Sequence, residues 1–403
     1  MGCKQSREGE EACRGGPGPV GRSAVAAPAV LKPPSDDVVP FVAPVGETHF
    51  AASGLDGWVY FYDWGNASLA GKFRAHGKAV NRLLPLAGGG LLTASDDATV
   101  KLWKPGGASA TLLPAAAAAA APGPPEAARS FAGHRLSVTG LDAVGDRQLL
   151  TGSRDCTMRL WDLETGAELR QVKILRNVVT ATRRIGGGEA GRSIAQASED
   201  LQLRLWDAAD GGLRASLDGP SSLDAACKLM IKAMPETDKA KFLQHVSASD
   251  RLAAHAVHAG PDQLICLDVT DDGRYVVCGS KGFTRENCRV KVFDVRGGLR
   301  ELHSAPCADQ AIEALRMVGP DRCLIASKDA HIRCISVQGQ PAEVASRGPG
   351  GAAYTAMGVH CRGANEGPVA FAAAASVDGP LLELLAWADP NLVEPASLLA
   401  SSA

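Results

Sequence analysis

The chain of 403 residues carries 42 basic and 44 acidic side chains, so its formal net charge is only −2. This balance excludes the strongly basic class of nucleic-acid-binding proteins. The 11 cysteines show no paired spacing typical of a zinc site. No apolar run reaches the roughly 18 residues that a membrane-spanning helix needs. We therefore predict a reduced chain with buried thiols, no metal, no cofactor and no nucleic-acid partner.

The first six residues, Met-Gly-Cys-Lys-Gln-Ser, match an acceptor for N-terminal lipidation. Removal of Met1 would expose Gly2, and Ser6 completes the pattern Met-Gly-x-x-x-Ser that is typical of N-myristoylation. One myristoyl chain binds membranes only marginally, with a partition constant of roughly 10⁴ per molar, so stable anchoring needs a second signal. Cys3 supplies it as a palmitoylation site. We expect a lipoprotein at the cytoplasmic face of a membrane; the alternative is a Gly-Cys pair without function.

Residues 1–37 are rich in Gly, Pro, Ala and charge, and they show no apolar periodicity. Such a composition cannot bury enough apolar surface to fold. We therefore predict that residues 1–37 form a disordered tether between the lipidated terminus and the rest of the chain.

From residue 38 onward, one pattern returns along the chain. Its clearest copy, residues 149–166, has a short strand, a turn headed by Asp155, a second strand ending in Trp161-Asp162, and a Glu-Thr-Gly turn. A recurrence of about 40–45 residues with Trp-Asp at a strand end is typical of a β-propeller blade. Counting six residues from each turn residue to the Trp position gives seven copies: Asp56 to Tyr62, Asp97 to Trp103, Asp155 to Trp161, Asp200 to Trp206, Asn287 to Phe293, Asp329 to Ile335 and Asp378 to Leu384.

The pattern predicts an all-β fold, a seven-bladed WD40 β-propeller over residues 38–400. Two steps between Trp positions are too long and indicate insertions. The first, residues 104–129, contains an Ala tract and is predicted as a low-complexity loop. The second, residues 220–262, begins with a capping-box-like Ser-Ser-Leu-Asp and continues with apolar residues at helical spacing, which predicts a helical hairpin. An eighth blade in this second step is disfavoured, because its candidate hairpin has Ala256 at the Trp position. Residues 392–399 are expected to supply the edge that closes the ring.

Histidine, serine, acid and tryptophan recur at fixed offsets in the blades. Serine, histidine and an acid are also the residue types of a hydrolase triad. A catalytic constellation is built once, whereas this set repeats, so we predict a structural hydrogen-bond network and no enzymatic activity. Its members are His76, Ser95, Asp97 and Trp103; His134, Ser153, Asp155 and Trp161; and Ser198, Asp200 and Trp206.

Four polar residues are candidates for partner binding: Arg154, Arg176, Asn177 and Arg296. Rows of arginine on the faces of the propeller would suit an acidic partner, but solvated surface charge is the favoured interpretation. These rows include Arg154, Arg176, Arg183 and Arg184. Phe293-Asp294-x-Arg296 looks like a relaxed form of the Trp-Asp-x-Arg signature with which propellers dock on cullin-RING ubiquitin-ligase adaptors. The second candidate function is therefore a substrate receptor of such a ligase.

More specific features lie in the fourth and fifth blades. Residues 176–180 read Arg-Asn-Val-Val-Thr, residues 198–200 read Ser-Glu-Asp, and residues 279–283 read Gly-Ser-Lys-Gly-Phe ahead of Cys288. Together with Thr-Gly-Ser-Arg-Asp at 151–155, they resemble the WD repeat-containing protein 31 family over roughly residues 38–390. The resemblance implies a non-enzymatic scaffold of cilia or flagella that works with regulators of small GTPases in ciliary membrane-protein traffic. We expect protein partners, a membrane surface reached through acyl chains, and a monomer within a complex.

Overall fold

The computed structural model describes the parts of the chain that build the β-sheets. They are residues 29–31, 38–46, 48–63, 68–86, 88–104, 127–144, 146–173, 179–186, 193–198, 202–207, 255–258, 263–282, 284–296, 298–347, 353–360, 369–375 and 381–387. Within them, 28 strands form seven four-stranded antiparallel sheets, and six of these sheets use four consecutive strands.

The six sheets of consecutive strands are called blades 1 to 6, and their strands are named a to d in chain order. Strand β1 spans Ala29–Leu31. Blade 1 contains β2 Val42–Val45, β3 His49–Ser53, β4 Trp58–Asp63 and β5 Leu69–Arg74. Blade 2 contains β6 Val80–Pro85, β7 Leu91–Ser95, β8 Thr99–Trp103 and β9 Ala127–Ala132. Blade 3 contains β10 Val138–Val144, β11 Gln148–Ser153, β12 Thr157–Asp162 and β13 Glu168–Lys173.

Blade 4 contains β14 Val179–Ile185, β15 Ser193–Ser198, β16 Gln202–Asp207 and β17 His255–His258. Blade 5 contains β18 Gln263–Val269, β19 Tyr275–Lys281, β20 Arg289–Asp294 and β21 Arg300–Pro306, with a short 3₁₀ helix at Arg285–Asn287. Blade 6 contains β22 Ile312–Met317, β23 Arg322–Ser327, β24 Ile332–Ser336 and β25 Ala342–Arg347. The closing sheet contains β26 Tyr354–His360, β27 Val369–Ala375 and β28 Leu381–Trp387 together with β1.

The sheets form a closed ring around an axis. Each a strand contacts the a strand of the next blade, from β2 through β6, β10, β14, β18 and β22 to β26, and β26 contacts β2 again. Closure of this kind leaves each sheet only short edges. The predicted all-β propeller architecture is therefore confirmed.

The apolar core lies between neighbouring blades, and the Trp position of each c strand points into it. Trp103 packs with Phe61 and Phe73 of blade 1, and its ring centroid lies 4.7 Å from that of Phe73. Trp161 packs in the same way with Phe131 of blade 2. Each of these tryptophans is almost fully buried, and burying one large apolar side chain contributes roughly 1.5–3 kcal/mol. The repeated Trp position thus holds each blade to the blade before it.

The closing sheet takes its outermost strand from the N-terminal segment. Ala29 pairs with Leu384, and Leu31 pairs with Leu382. This strand falls inside the predicted tether of residues 1–37 and occupies the edge expected for residues 392–399, which lie outside the described part of the chain. The reason is geometric, because every other d strand precedes the a strand of the next blade. The d strand that precedes blade 1 must therefore come from the N-terminal side.

Two other predicted boundaries also change. The predicted low-complexity loop at 104–129 overlaps β9, which begins at Ala127. The predicted helical insertion at 220–262 overlaps β17, in which Ala256 pairs with Arg204. Both are outer strands with one solvent-facing edge, so they need little apolar patterning and are hard to recognise from sequence. Residues 105–126 and 220–254 lie outside the described residues.

The register of the closing sheet shifts its Trp position by one residue. In blade 3, Trp161 pairs with Leu149, four residues before the last residue of β11. In the closing sheet, the residue four before the end of β27 is Phe371, and it pairs with Leu385. The predicted Leu384 pairs with Ala372. Five residues of sequence separate β27 from β28, whereas three separate β11 from β12, so a count of six residues from Asp378 falls one residue short.

Among the described residues, no helix is long and apolar enough to cross a bilayer.

Candidate interaction surfaces and the axial cavity

The network of blade 3 runs from a buried tryptophan to a turn carboxylate. Trp161 Nε1 donates to Thr151 Oγ1 at 2.9 Å, and Thr151 Oγ1 lies 2.7 Å from His134 Nε2. His134 Nδ1 lies 3.0 Å from Asp155 Oδ2. An ionised carboxylate can only accept, so in the neutral ring Nδ1 carries the proton, and Nε2 accepts from the threonine hydroxyl. The chain of donors therefore ends on Asp155, which in turn accepts from the backbone of Thr157 at 3.0 Å.

Blade 2 repeats this geometry. His76 lies 2.8 Å from Asp97 and 2.7 Å from Thr93, and Trp103 Nε1 donates to Thr93 at 3.0 Å. The predicted serine does not join the chain of donors. Instead, Ser95 Oγ accepts from the backbone N–H of Asp97 at 3.0 Å and shapes the turn.

The sequence interpretation missed the threonine at the centre of each network. Its signal was a lone polar residue in an apolar strand, two positions before the serine, as in Leu-Leu-Thr-Ala-Ser at 91–95 and Leu-Leu-Thr-Gly-Ser at 149–153. Because Thr93 and Thr151 are fully buried, they offer no nucleophile to a substrate. The arrangement suits a structural role.

Electrostatics within the networks favour charged carboxylates. Burial alone raises the pKa of Asp155, but hydrogen bonds from His134 and Thr157 outweigh burial and hold the pKa well below its usual range. The same balance, with His76 and Thr99, holds the pKa of Asp97 below its usual range. Both turns therefore keep a negative charge at neutral pH.

Blade 4 uses different residues for the same purpose. Trp206 Nε1 donates to Gln196 Oε1 at 3.1 Å, and Gln196 Nε2 donates in turn to Ser198. Gln196 occupies the register position of Thr151, because each lies ten residues before its tryptophan. Arg204 is also buried here, 3.4 Å from Ser198 Oγ. The predicted Asp200 lies outside the described residues.

The partner-binding candidates that are described lie on opposite faces of the ring. In an antiparallel blade, the b–c turns and the d–a connections lie at one end and the other turns at the opposite end. The face with the b–c turns also carries the d–a connections that contain His76 and His134, so we call it the histidine face. Arg154 is exposed on this face, in the b–c turn of blade 3. Arg296 is exposed in the c–d turn of blade 5, on the opposite face. Residues Gly2, Cys3, Arg176 and Asn177 lie outside the described residues.

The histidine face has firmly held loops and some apolar surface. Asp96 Oδ1 accepts from Asn81 Nδ2 at 2.7 Å and from Ser137 Oγ at 2.5 Å, which joins blades 2 and 3. On the same face, Leu55 is 42% exposed and Leu136 is 54% exposed. Rigid loops that carry exposed apolar side chains are suited to protein recognition.

A cavity of about 70 Å³ lies on the axis, lined by residues of all seven a strands or their approaches. Arg82, Arg183 and Arg316 line it together with Phe41 and Glu313. Arg183 was predicted as part of a surface row, but it lies in this cavity because β14 is an a strand. Among the described residues, no group of three or more His, Cys, Asp or Glu could hold a metal ion.

Comparisons with known proteins identify the repeat. Residues 67–104 and 126–162 match the family model of the WD domain, G-beta repeat. The chain is 35% identical over 78 residues to Ribosome biogenesis protein WDR12 homolog of Ixodes scapularis, covering 19% of this chain and 17% of that protein. It is 24% identical over 188 residues to Nuclear distribution protein nudF of Aspergillus niger, covering 45% and 38% respectively. It is 30% identical over 138 residues to Nuclear distribution protein PAC1 of Arthroderma benhamiae, covering 32% and 26%.

The matched regions agree with the strand order. Each begins at or near the d strand of one blade and ends at or near the Trp position of the next. The matches span less than two fifths of the length of each of these three relatives. WD40 propellers generally act as scaffolds for protein–protein interaction. Two stretches of the chain therefore match the WD domain, G-beta repeat, and the strands that they contain belong to an all-β propeller.

Proposed function

We propose that this propeller is a non-enzymatic scaffold that two acyl chains tether to the cytosolic face of a membrane. The observation that carries the proposal is strand β1, Ala29–Leu31, which is hydrogen-bonded into the closing sheet. The acceptor residues Gly2 and Cys3 are thus connected to the folded ring through residues 4–28, which can span at most about 90 Å. A lipidated terminus would hold the whole propeller within that distance of the bilayer.

The histidine face is the proposed docking surface for protein partners. Its loops are fixed by the networks around Thr93 and Thr151 and by the contacts of Asp96. A pre-organised surface binds with a smaller loss of conformational entropy than a mobile one. The exposed Leu136 and Arg154 supply apolar and charged contacts on this face.

For the location, we propose the cilium or flagellum, or its base, with regulators of small GTPases as partners. The support is the resemblance of residues 176–180 and 279–283 to the WD repeat-containing protein 31 family. The relatives found by comparison are named for ribosome biogenesis and nuclear distribution. Their similarity covers only part of the chain and reflects the shared repeat, so a localisation experiment is needed to decide between these compartments.

The test is membrane fractionation and imaging of the C-terminally tagged chain in a flagellated cell. We expect the wild type at the membrane near the flagellar base, Gly2→Ala in the soluble fraction, and Cys3→Ser reduced at the membrane, because one acyl chain binds only marginally. Gln5→Ala, in the same segment, is the matched control and should behave like the wild type. Equal solubility of all four forms, or a nuclear location, would contradict the proposal.

The alternative function, a substrate receptor of a cullin-RING ubiquitin ligase, is favoured by one observation. Arg296 is exposed after the buried Phe293, and its backbone N–H donates to Asp294 at 3.0 Å, which fixes the turn. Copurification of a ligase adaptor with the wild type, and its loss in Arg296→Ala, would support this alternative. The exposed Arg300→Ala serves as the control.

A further inference from the structure

The axial cavity contains an excess of positive charge. Three guanidinium groups line it, and only Arg183 has a carboxylate partner, with its Nε 3.0 Å from Asp268 Oδ1. Within the described residues, neither Arg82 nor Arg316 has a carboxylate oxygen within 4.0 Å. Within the part of the chain that the structure describes, these two positive charges therefore have no ion-pair partner.

The remaining acids near the cavity do not neutralise these charges. Glu313 lines the cavity, but its carboxylate lies 3.0 Å from Lys328 Nζ. Asp142 accepts from the backbone N–H of Arg184 at 2.5 Å, and burial raises the pKa of its carboxyl group. Each of these acids thus has another partner, because Asp142 also accepts from the backbone N–H of Ala143 at 2.9 Å.

Arg82 and Arg316 share the same local geometry. The Nη1 of each donates to the backbone oxygen of the residue before it, at 3.0 Å for Arg82 and 2.9 Å for Arg316. Each guanidinium carbon also lies close to the ring centroid of Phe41, at 5.1 Å and 5.7 Å respectively. Arg82 Nη2 also donates to the backbone oxygen of Thr180 at 3.1 Å. The two groups converge on one aromatic side chain and still retain further N–H donors, because a guanidinium group has five.

Arg82 and Arg316 are both partly buried, and a charge that is partly removed from water is costly unless something pairs with it. Burial, together with the nearby charge of Arg183, lowers the pKa of both Arg82 and Arg316 to about 10. At neutral pH both groups remain protonated. Packing against an aromatic ring stabilises them only in part.

The geometry points to a binding site for a small oxyanion in the axial cavity, held by Arg82 and Arg316. We infer that the ligand is a phosphate group, because its dianion matches the two unpaired charges and guanidinium groups bind phosphate oxygens in a bidentate manner. The volume of about 70 Å³ is several times the roughly 10–15 Å³ that one water molecule needs, so the cavity has room for a group of the size of phosphate.

The test is titration of the full-length chain with inorganic phosphate at pH 8, followed by calorimetry, with sodium chloride at equal ionic strength as the reference. We expect saturable binding to the wild type and an affinity at least about tenfold weaker in Arg82→Gln and in Arg316→Gln, because each loses a charged hydrogen-bond partner. Arg154→Gln, on the exposed histidine face, is the control and should bind within about twofold of the wild type.

A second variant separates binding from folding. Arg316→Lys keeps the charge but loses the bidentate geometry, so it should fold like the wild type and bind phosphate more weakly. Glycerol 3-phosphate distinguishes the sources of the group: competition would identify a phosphate borne by a larger molecule, and its absence would identify free phosphate. No binding beyond that of chloride, or equal binding by all the variants, would overturn the site.

Discussion

Replacement of Thr151 by Val tests the blade network most directly. Valine keeps the shape of threonine but removes the hydroxyl, so Trp161 Nε1 loses its acceptor at 2.9 Å and His134 Nε2 loses its partner at 2.7 Å. Each buried group left unsatisfied costs about 1–3 kcal/mol. Thr151 is fully buried, so water cannot replace the hydroxyl. We expect the free energy of unfolding to fall by about 2–5 kcal/mol.

The assay is equilibrium denaturation of the full chain in urea, monitored by tryptophan fluorescence and circular dichroism. In a Trp161→Phe background the donor is already absent, so Thr151→Val should cost only about half as much. Thr93→Val, at the same place in blade 2, should cost about as much as Thr151→Val. A loss below about 0.5 kcal/mol, or the same loss in both backgrounds, would refute the proposed chain of donors.

Three further predictions follow from the geometry. Asp155 has a lowered pKa in the folded state. Its contribution to stability is therefore complete above the unfolded pKa of about 3.9 and is lost as the pH falls through the folded pKa. In acid titrations followed by circular dichroism, the difference in stability between the wild type and Asp155→Asn should shrink below about pH 4. Removal of residues 1–31 should lower the melting temperature and promote self-association on size-exclusion chromatography, because β28 loses its partner strand Ala29–Leu31. Removal of residues 1–28 is the control and should change neither the melting temperature nor the elution volume. A Cβ on Gly152 would lie 2.6 Å from Val179 Cγ1, while one on Gly77 meets nothing within 4 Å; Gly152→Ala should therefore cost about 1–3 kcal/mol in urea denaturation and Gly77→Ala much less.

The Trp positions were readable from sequence because they combine a rare residue with a fixed spacing. Trp103, Trp161 and Trp206 each enter the core between two blades, and such burial leaves a clear pattern. The outer strands leave little pattern, since much of their surface faces solvent. The three residues of β1 are too few to show any periodicity.

The axial cavity was also hidden from sequence reasoning. An arginine in an apolar strand was expected at the surface, because charged side chains are rarely buried. Arg183 nevertheless lies on the axis, where its partner Asp268 comes from the next blade. Only the ring closure brings these two residues together, because their strands belong to different sheets.

The innermost strands show how backbone groups at the inner edges of the sheets find hydrogen-bond partners. In each of six a strands the register skips one residue, which is a bulge. The side chain of the bulged residue can then extend toward the next blade. Four of them donate to a backbone oxygen there: Asn81 to Val138 at 3.1 Å, Thr139 to Val179 at 2.7 Å, Thr180 to Leu264 at 2.8 Å, and Thr355 to Val39 at 3.2 Å.

In two of the six a strands, the bulged residue does not donate a hydrogen bond to the next blade. In blade 5 the bulged residue is the apolar Ile265, and Cys266 Sγ instead lies 3.1 Å from the backbone oxygen of Ile312. In blade 6 the bulged residue is Glu313, whose carboxylate cannot donate and pairs with Lys328. The backbone groups at the inner edges of the a strands need hydrogen-bond partners from polar side chains. The side chains that supply these hydrogen bonds are mostly neutral. Arg82 also joins two blades, because its Nη2 donates to the backbone oxygen of Thr180 at 3.1 Å. This bond uses a neutral acceptor, so the charges of Arg82 and Arg316 remain available to a ligand.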